Sequence, residues 1–365
     1  MKILSCGDIH FTNYTMYNKP IVNKPESGSR LEDILTAFDM FAKYGYDHGI
    51  HTYMLNGDIF DSRQKDNPST IAYIKERIYS AFNNQDVDTT VYINVGNHDE
   101  CGRDIKPNSV SDFKLFSNDH HKFVVLDNTV NLVDFGDDTQ ALVVPYTEFI
   151  EEQKEAIINT KLDKSTVVFA HLGVSGATQG RWNHRLGGAY NLDDLKYNDP
   201  NVKGIVLSHY HSRQFLQKSP KPAWYIGDLV ALNFNDISEN GEASPRGFDV
   251  VDTATGEQEF VNLHDAPYNI PGFAQYDAKS FVDTDSHDYI KIVTDNMDDY
   301  NRLAESYHDR INIQIIYVPK AVNFVEDTDT EVTASDKELV KNYCDKYYPD
   351  TTDLALQYLA KASEV

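Results

Sequence analysis

The chain has 365 residues, 41% of them hydrophobic and 25% charged, with a formal net charge of −24. That length can bury a large core, enough for one big domain or a main domain with a smaller one. The charge argues against a free-standing nucleic-acid binder, which is normally basic, and no run of about 18 apolar residues implies a membrane span. Three cysteines, Cys6, Cys101 and Cys344, are too few and too scattered for a disulfide framework, so a reducing cytoplasm is the expected setting. Residues Met1–Asp8 run straight into a strand, without the apolar core and cleavage site of a signal peptide.

In chain order, Lys2–Gly7 reads as a first strand. Leu31, Ile34, Leu35, Phe38 and Phe41 fall on one helical face and predict a helix. The apolar run Tyr53-Met54-Leu55 ends at Gly57-Asp58. Asn67-Pro68 has the form of a helix cap with proline in the first turn, followed by Ile71, Ile74, Ile78 and Phe82. Val91–Val95 predicts a strand that stops at Gly96-Asn97-His98-Asp99. Further strands are expected at Phe123–Leu126, Ala141–Val144, Thr166–Ala170, Gly204–Leu207, Tyr225–Ile226 and Phe248–Val251. The early β-α-β alternation predicts a layered α/β core.

Beyond about residue 265 the texture changes. Tyr289–Val293 and Ile311–Tyr317 read as strands around a helix near Met297–Tyr307, a small α+β unit. Glu326–Glu331 is an acidic linker, Ser335 with Glu338 forms a capping box before Leu339, Val340 and Tyr343, and Asp353–Lys361 reads as a last short helix. The expected division is a main domain over 1–265, a small domain over 266–325 and a helical tail over 326–365. Charge is uneven: residues 276–365 hold 19 acidic against 9 basic residues, whereas 203–222 hold Lys203, Arg213, Lys218 and Lys221 with no acid.

Five segments place metal-binding side chains just after an apolar strand: Asp8-Ile9-His10, Gly57-Asp58, Gly96-Asn97-His98-Asp99, Ala170-His171 and Ser208-His209-Tyr210-His211. In layered α/β folds the carboxyl ends of neighbouring strands lie along one edge, so loops distant in sequence converge there. Asp, Asn and His without Cys suit borderline divalent ions such as manganese, iron or zinc. A carboxylate can bridge two cations about 3.5–4 Å apart, a spacing that clamps the attacking and leaving oxygens of a phosphoryl displacement. Asp58 is the natural bridge, and the glycine before it lets backbone approach closely.

The series D-x-H, G-D-x-x-D, G-N-H-D, a lone His after a strand, and H-x-H resembles the calcineurin-like metallophosphoesterase superfamily over roughly residues 1–265. That resemblance implies an α-β-β-α sandwich and two divalent ions, manganese foremost, with magnesium, iron or zinc also compatible. It implies Asp8, His10, Asp58 and His211 around the first ion, and Asp58, Asn97, His171 and His209 around the second. His98 matches the family's catalytic histidine beside the scissile phosphate, and Asp99 would orient His98 or a ligand. Asp61 stands where some nuclease members carry a phosphate-positioning histidine, and Ser208 stands where glycine is common. Taken from the residues alone, Asp61 and Asp99 fit catalytic support or loop capping equally well.

Within the superfamily the similarity is closer to the SbcD-type nuclease subunit. It rests on Gly57-Asp58-Ile59-Phe60-Asp61-Ser62, on Tyr225-Ile226-Gly227-Asp228-Leu229 followed by Arg246-Gly247-Phe248, and on the small capping-like domain with its helical tail. This implies a DNA nuclease, exonucleolytic on duplex ends and endonucleolytic on single strands, in a homodimer. It also implies a coiled-coil ATPase partner of the SbcC type docked on the C-terminal helices. The compact length suggests a phage or bacterial version working in the (host) cytoplasm. A small-substrate phosphoesterase, which the acidic charge favours, and a weakly catalytic scaffold for DNA ends or the ATPase are the alternatives. The Gly173–Gly188 loop carries Arg181, Trp182, His184 and Arg185, which read either as phosphate and base contacts or as a locally packed surface loop. His48, His51, His120, His121, His264, His287 and His308 lie outside any motif and read as surface or structural residues.

Overall fold

In the strand Lys2–Cys6 successive side chains point to opposite faces: Ile3 enters one apolar cluster, Leu4 and Cys6 another. The same alternation in Ser165–His171 sends Val167 and Phe169 inward and Val168 and Ala170 outward. Repeated over two sheets, it generates the layers. The computed structural model describes residues 1–61, 67–83, 86–102, 104–179, 184–282, 286–319, 336–347 and 351–362.

One six-stranded sheet runs Gln258–Asn262, Gly247–Asp252, Lys2–Cys6, Thr52–Asn56, Thr89–Asn94, His121–Leu126. The last four strands are parallel. The other runs Gln214–Gln217, Ala223–Tyr225, Val202–Ser208, Ser165–His171, Thr139–Val144, Asn131–Asp134, again with parallel central strands. Ile3, Met54 and Val251 of the first sheet meet Val143, Val167, Phe169, Val206 and Trp224 of the second in an inter-sheet core. Helices Ser29–Asp47 and Pro68–Asn83 cover the outer face of the first sheet, and helix Ile150–Asn159 the outer face of the second. The fold is the expected α-β-β-α sandwich. Asn67 does cap its helix, its Oδ1 accepting from the Thr70 amide at 2.9 Å.

Two compact units emerge, Met1–Val318 and Pro319–Val365. The first also contains a parallel sheet of Phe273–Asp277, Tyr289–Thr294 and Ile313–Tyr317 with helix Met297–Ser306, so the small unit gains a strand that the sequence pattern missed. Arg30 fastens this sheet to the sandwich: it is buried, lies over the rings of Tyr14, Phe273 and Tyr289, and donates to the carbonyls of Leu232 and Met16. The second unit holds helices Asp336–Tyr347 and Thr352–Ala362, where Cys344 is buried and Tyr343 and Leu354 are exposed. Ser335, Glu326–Glu331, Arg181 and Trp182 lie outside the described residues.

Candidate metal centre

Five strands, three from one sheet and two from the other, end where the five motifs begin, so all five motifs gather at one edge of the sandwich. The local backbone is unusual. Asp8, His10, Asp58 and His209 all have positive φ, at 47°, 52°, 52° and 101°. Non-glycine residues adopt that region at a cost, and such residues cluster at functional sites. Gly57 has φ +90°, and a Cβ there would stand 2.2 Å from His171 Nδ1. A Cβ on Gly96 would stand 2.2 Å from Asp58 Oδ1. Both glycines are therefore required for close approach, not only for turning.

Asp58 lies at the middle. Its Oδ2 is 3.2 Å from His171 Nε2 and 3.7 Å from His10 Nε2, and its Oδ1 accepts from the His98 amide at 2.8 Å. Asp8 accepts twice from the His209 amide and has Oδ1 3.9 Å from His171 Nε2. Asn97 Oδ1 lies 2.8 Å from His209 Nδ1 and 3.2 Å from His171 Nε2. The His10 ring is 4.7 Å from that of His98 and 4.9 Å from that of His211. Ligand-type atoms of Asp8, His10 and His211 lie within 4.8 Å of one another, as do those of Asp8, Asp58 and His171.

The electrostatics ask for positive charge. Burial works to raise the pKa of Asp58, but His171 beside it holds it well below the usual carboxylate range. Burial works to lower His171, yet Asp58 and Asp8 push it up to about 9. His10 and His209 go the other way: burial brings each down to about 3, so both are neutral and able to ligate at neutral pH. His10 is 1% exposed, and neither of its ring nitrogens has a hydrogen-bond partner. Two buried, unsatisfied imidazole nitrogens beside carboxylates are costly unless a ligand meets them. Divalent cations fit that donor set.

A profile for the calcineurin-like phosphoesterases matches residues 1–213. The chain belongs to the calcineurin-like phosphoesterase family. Phosphoesterases of this fold are hydrolases with a dinuclear metal site, and the clusters above are the residue groups that can hold one here. Exonuclease subunit 1 of Enterobacteria phage T4 is 24% identical over 96% of this chain and 100% of its own length. Among solved structures, a dimetal phosphatase from Danio rerio has a TM-score of 0.43 at 9% identity, over 68% of this chain and 91% of its own. GAP50, the anchor in the inner membrane complex of Plasmodium, has 0.42 at 13%, over 73% and 90%.

His98 of this phosphoesterase points its Nδ1 at the backbone carbonyl of Asp61 in a short hydrogen bond. Asp99 is engaged elsewhere: its carboxylate takes the amides of Ile59, Phe60 and Gly96, tying the Gly57 and Gly96 loops together. Asp61 has Oδ1 3.6 Å from His10 Nδ1 and accepts from Tyr14 at 3.4 Å. Ser208 is buried against Gly7, and its hydroxyl receives the Asn56 amide at 3.2 Å. Arg185 is exposed and pairs through its backbone with Thr178. The basic 203–222 segment is largely consumed internally, Arg213 by Asp249 and Gln258, and Lys221 by the carbonyls of Tyr197 and Asp199.

Sequence reasoning passed over Asn56 and Asn94. Asn94 donates to Asn56 Oδ1 and to the Val144 carbonyl, and Asn56 donates to the Ala170 carbonyl, so the pair stitches the two sheets together under the site. The signal was present: each is a polar residue closing a strand after an apolar run, Asn56 immediately before Gly57-Asp58 and Asn94 two residues before Gly96.

Proposed function

We propose that this phosphoesterase is a two-metal DNA nuclease, the nuclease subunit of a complex with a coiled-coil ATPase of the SbcC type. The observation that carries the reading is the Asp58-centred cluster with its unpartnered, buried His10. The full-length similarity to a phage exonuclease subunit supports DNA as the substrate class. Asp8, His10, Asp58 and His211 would hold one divalent cation, and Asp58, Asn97, His171 and His209 the other, with manganese the foremost candidate. When bound, such a pair neutralises charge on the phosphoryl oxygens and activates water as the nucleophile.

The chain's own chemistry centres on His98. An Nδ1–H donated to the Asp61 carbonyl leaves Nε2 to carry a proton to the departing sugar oxygen. Asp99 acts by holding the loops that carry Asp58 and Asn97, and Asp61 by supporting His98 and His10. Arg181, Trp182 and Arg185 would contact the DNA strand. The ATPase docks on the C-terminal helices, where Tyr343 and Leu354 are exposed, and the nuclease works as a homodimer.

The test is degradation of end-labelled duplex and single-stranded DNA with manganese, comparing wild type with His98→Ala. Cleavage lost in the variant while its cations are retained supports the reading. Cation-loaded wild type that cuts no DNA, alone or with the ATPase, refutes it. The net charge of −24 favours a second reading, a small-diester phosphoesterase; turnover of a chromogenic diester with DNA left intact would select it.

A further inference from the structure

Like Gly7-Asp8 and Gly57-Asp58, Gly227-Asp228 follows an apolar strand. Its carboxylate is fully buried, and neither oxygen makes a hydrogen bond. A buried carboxylate is tolerated where its charge is compensated. Two groups face it: His211 Nδ1, 3.3 Å from Oδ1, and Arg246 Nε, 3.8 Å from Oδ2. Ligand atoms of His211, Asp228 and Asp236 lie within 4.8 Å of one another, but Arg246 also reaches Asp236 Oδ1 at 3.6 Å, so a guanidinium already supplies positive charge between the two acids.

The backbone is built to bring Asp228 to His211. The Asp228 amide donates to the His211 carbonyl at 3.1 Å. Gly227 has φ +83°, and a Cβ there would stand 2.8 Å from that same carbonyl, so only glycine lets the two segments lie this close. Gly7 and Asp228 pair as a parallel bridge, which fixes the segment beside the Asp8 loop.

We propose that Asp228 is a positioning residue for His211. Its Oδ1, 3.3 Å from Nδ1, is placed to take the Nδ1–H, which would fix the ring and its tautomer and leave Nε2 free to ligate the cation that Asp8 and His10 would hold. Arg246 keeps the buried acid compensated from behind. This rests on the metal-centre reading given under Proposed function. Partners of ligating histidines of this kind typically change metal affinity by roughly 10–100-fold when removed.

The test is manganese binding to the full chain by titration calorimetry and electron paramagnetic resonance, in wild type, Asp228→Ala, Asp228→Asn and His211→Ala. The expected result is two cations in wild type and a roughly 10–100-fold loss at one of them in Asp228→Ala, the same one that His211→Ala weakens further. Asp228→Asn, which keeps an oxygen facing Nδ1, recovers most of that loss. Unchanged affinity, equal weakening of both cations, or equal loss in the Ala and Asn variants overturns the inference. Nitrogen-15 histidine spectra of the metal-free wild type, with His211→Ala for assignment, decide it even where Asp228→Ala does not fold. A proton on Nδ1 of His211 is expected, and a proton on Nε2 alone overturns it. Wild type that binds no cation fails the metal-centre reading itself, a result distinct from all of these.

Discussion

Gly57→Ala is the smallest substitution that should disable the site. A Cβ at position 57 would stand 2.2 Å from His171 Nδ1, against the 3.4 Å at which ordinary contact begins, so ring or backbone must yield by 1.2 Å. His171 has nowhere to go. It is fully buried, and its Nδ1 bonds the Asn56 carbonyl at 2.8 Å. Losing that bond costs about 1 kcal/mol, overpacking roughly 2, and holding alanine at φ +90° roughly 1, a total of about 4 kcal/mol. With about 2.1 cal/mol/K of unfolding entropy per residue over Met1–Val318, the melting temperature falls by about 6 °C. Gly49→Ala is the matched control: φ is +66°, but nothing lies within 4 Å of the added Cβ, so only strain of about 1 kcal/mol is expected. Calorimetric melting of both variants, with manganese titration of each, separates clash from strain. If Gly57→Ala melts with Gly49→Ala and keeps both cations, the close packing of Gly57 against His171 is not what shapes the site.

Asn94→Ala removes half of the stitch between the sheets, the bond to the Val144 carbonyl, and takes their Asn94 partner from Asn56 Oδ1 and the Val95 amide. Urea unfolding should show a loss of about 3 kcal/mol with unchanged slope, and a loss under about 1 kcal/mol would refute the role. Arg30→Met takes the cation from between Tyr14, Phe273 and Tyr289. Hydrogen exchange should then quicken in Phe273–Asp277 and Tyr289–Thr294 while Lys2–Cys6 stays protected; uniform quickening would refute a local tie. His264 is raised by its hydrogen bond to Asp288 against partial burial, and Asp288, despite burial, is held below its usual value by His264. The imidazolium's contribution is therefore full below about pH 6.5 and is lost as pH rises through the higher folded value, and the carboxylate's contribution is lost only in acid. Melting temperature should decline from pH 6 to 9 more in wild type than in His264→Gln, and parallel profiles would exclude the pair as a source of pH dependence.

The layers were legible because parallel strands buried on both faces leave continuous apolar runs, as in Val91–Val95 and Thr166–Ala170, and the amphipathic face of Ser29–Asp47 is strongly periodic. What escaped has a physical cause. Asn131–Asp134, Gln214–Gln217 and Gln258–Asn262 are edge strands with polar outward positions, and helix Ile150–Asn159 buries only Gln153 and Ile157 along an acidic segment. In the site, ligand types and their order could be read from the motifs. The work of Asp99 was only half legible: loop capping stood level with a role beside His98, but which loops it ties could not be read, because its donors are amides of loops about 40 residues apart in sequence. Nor could the work of Asp228, whose partner His211 is joined to it only once Gly227 folds one loop onto the other.

The net charge and the proposed substrate pull in opposite directions, and the structure sharpens the conflict. Arg213 is spent on Asp249 and Gln258, Lys221 on backbone carbonyls and Arg246 on Asp228 and Asp236, so basic residues that composition leaves open for phosphate are occupied inside the fold. A polyanion brought to such a surface meets like charge, which long-range attraction cannot overcome without another source of positive field. At the centre itself the positive field can come from cations bound among Asp8, Asp58 and the histidines, where the protein's acidity recruits rather than repels. Farther along a DNA strand it must come from a partner surface. If the nuclease reading holds, DNA affinity of the chain alone should therefore be weak and steeply dependent on manganese, and the partner should strengthen it with the salt dependence of added phosphate contacts. Tight, manganese-independent binding of DNA by the isolated chain would show that a basic surface of its own carries the strand, and the argument from charge would fail.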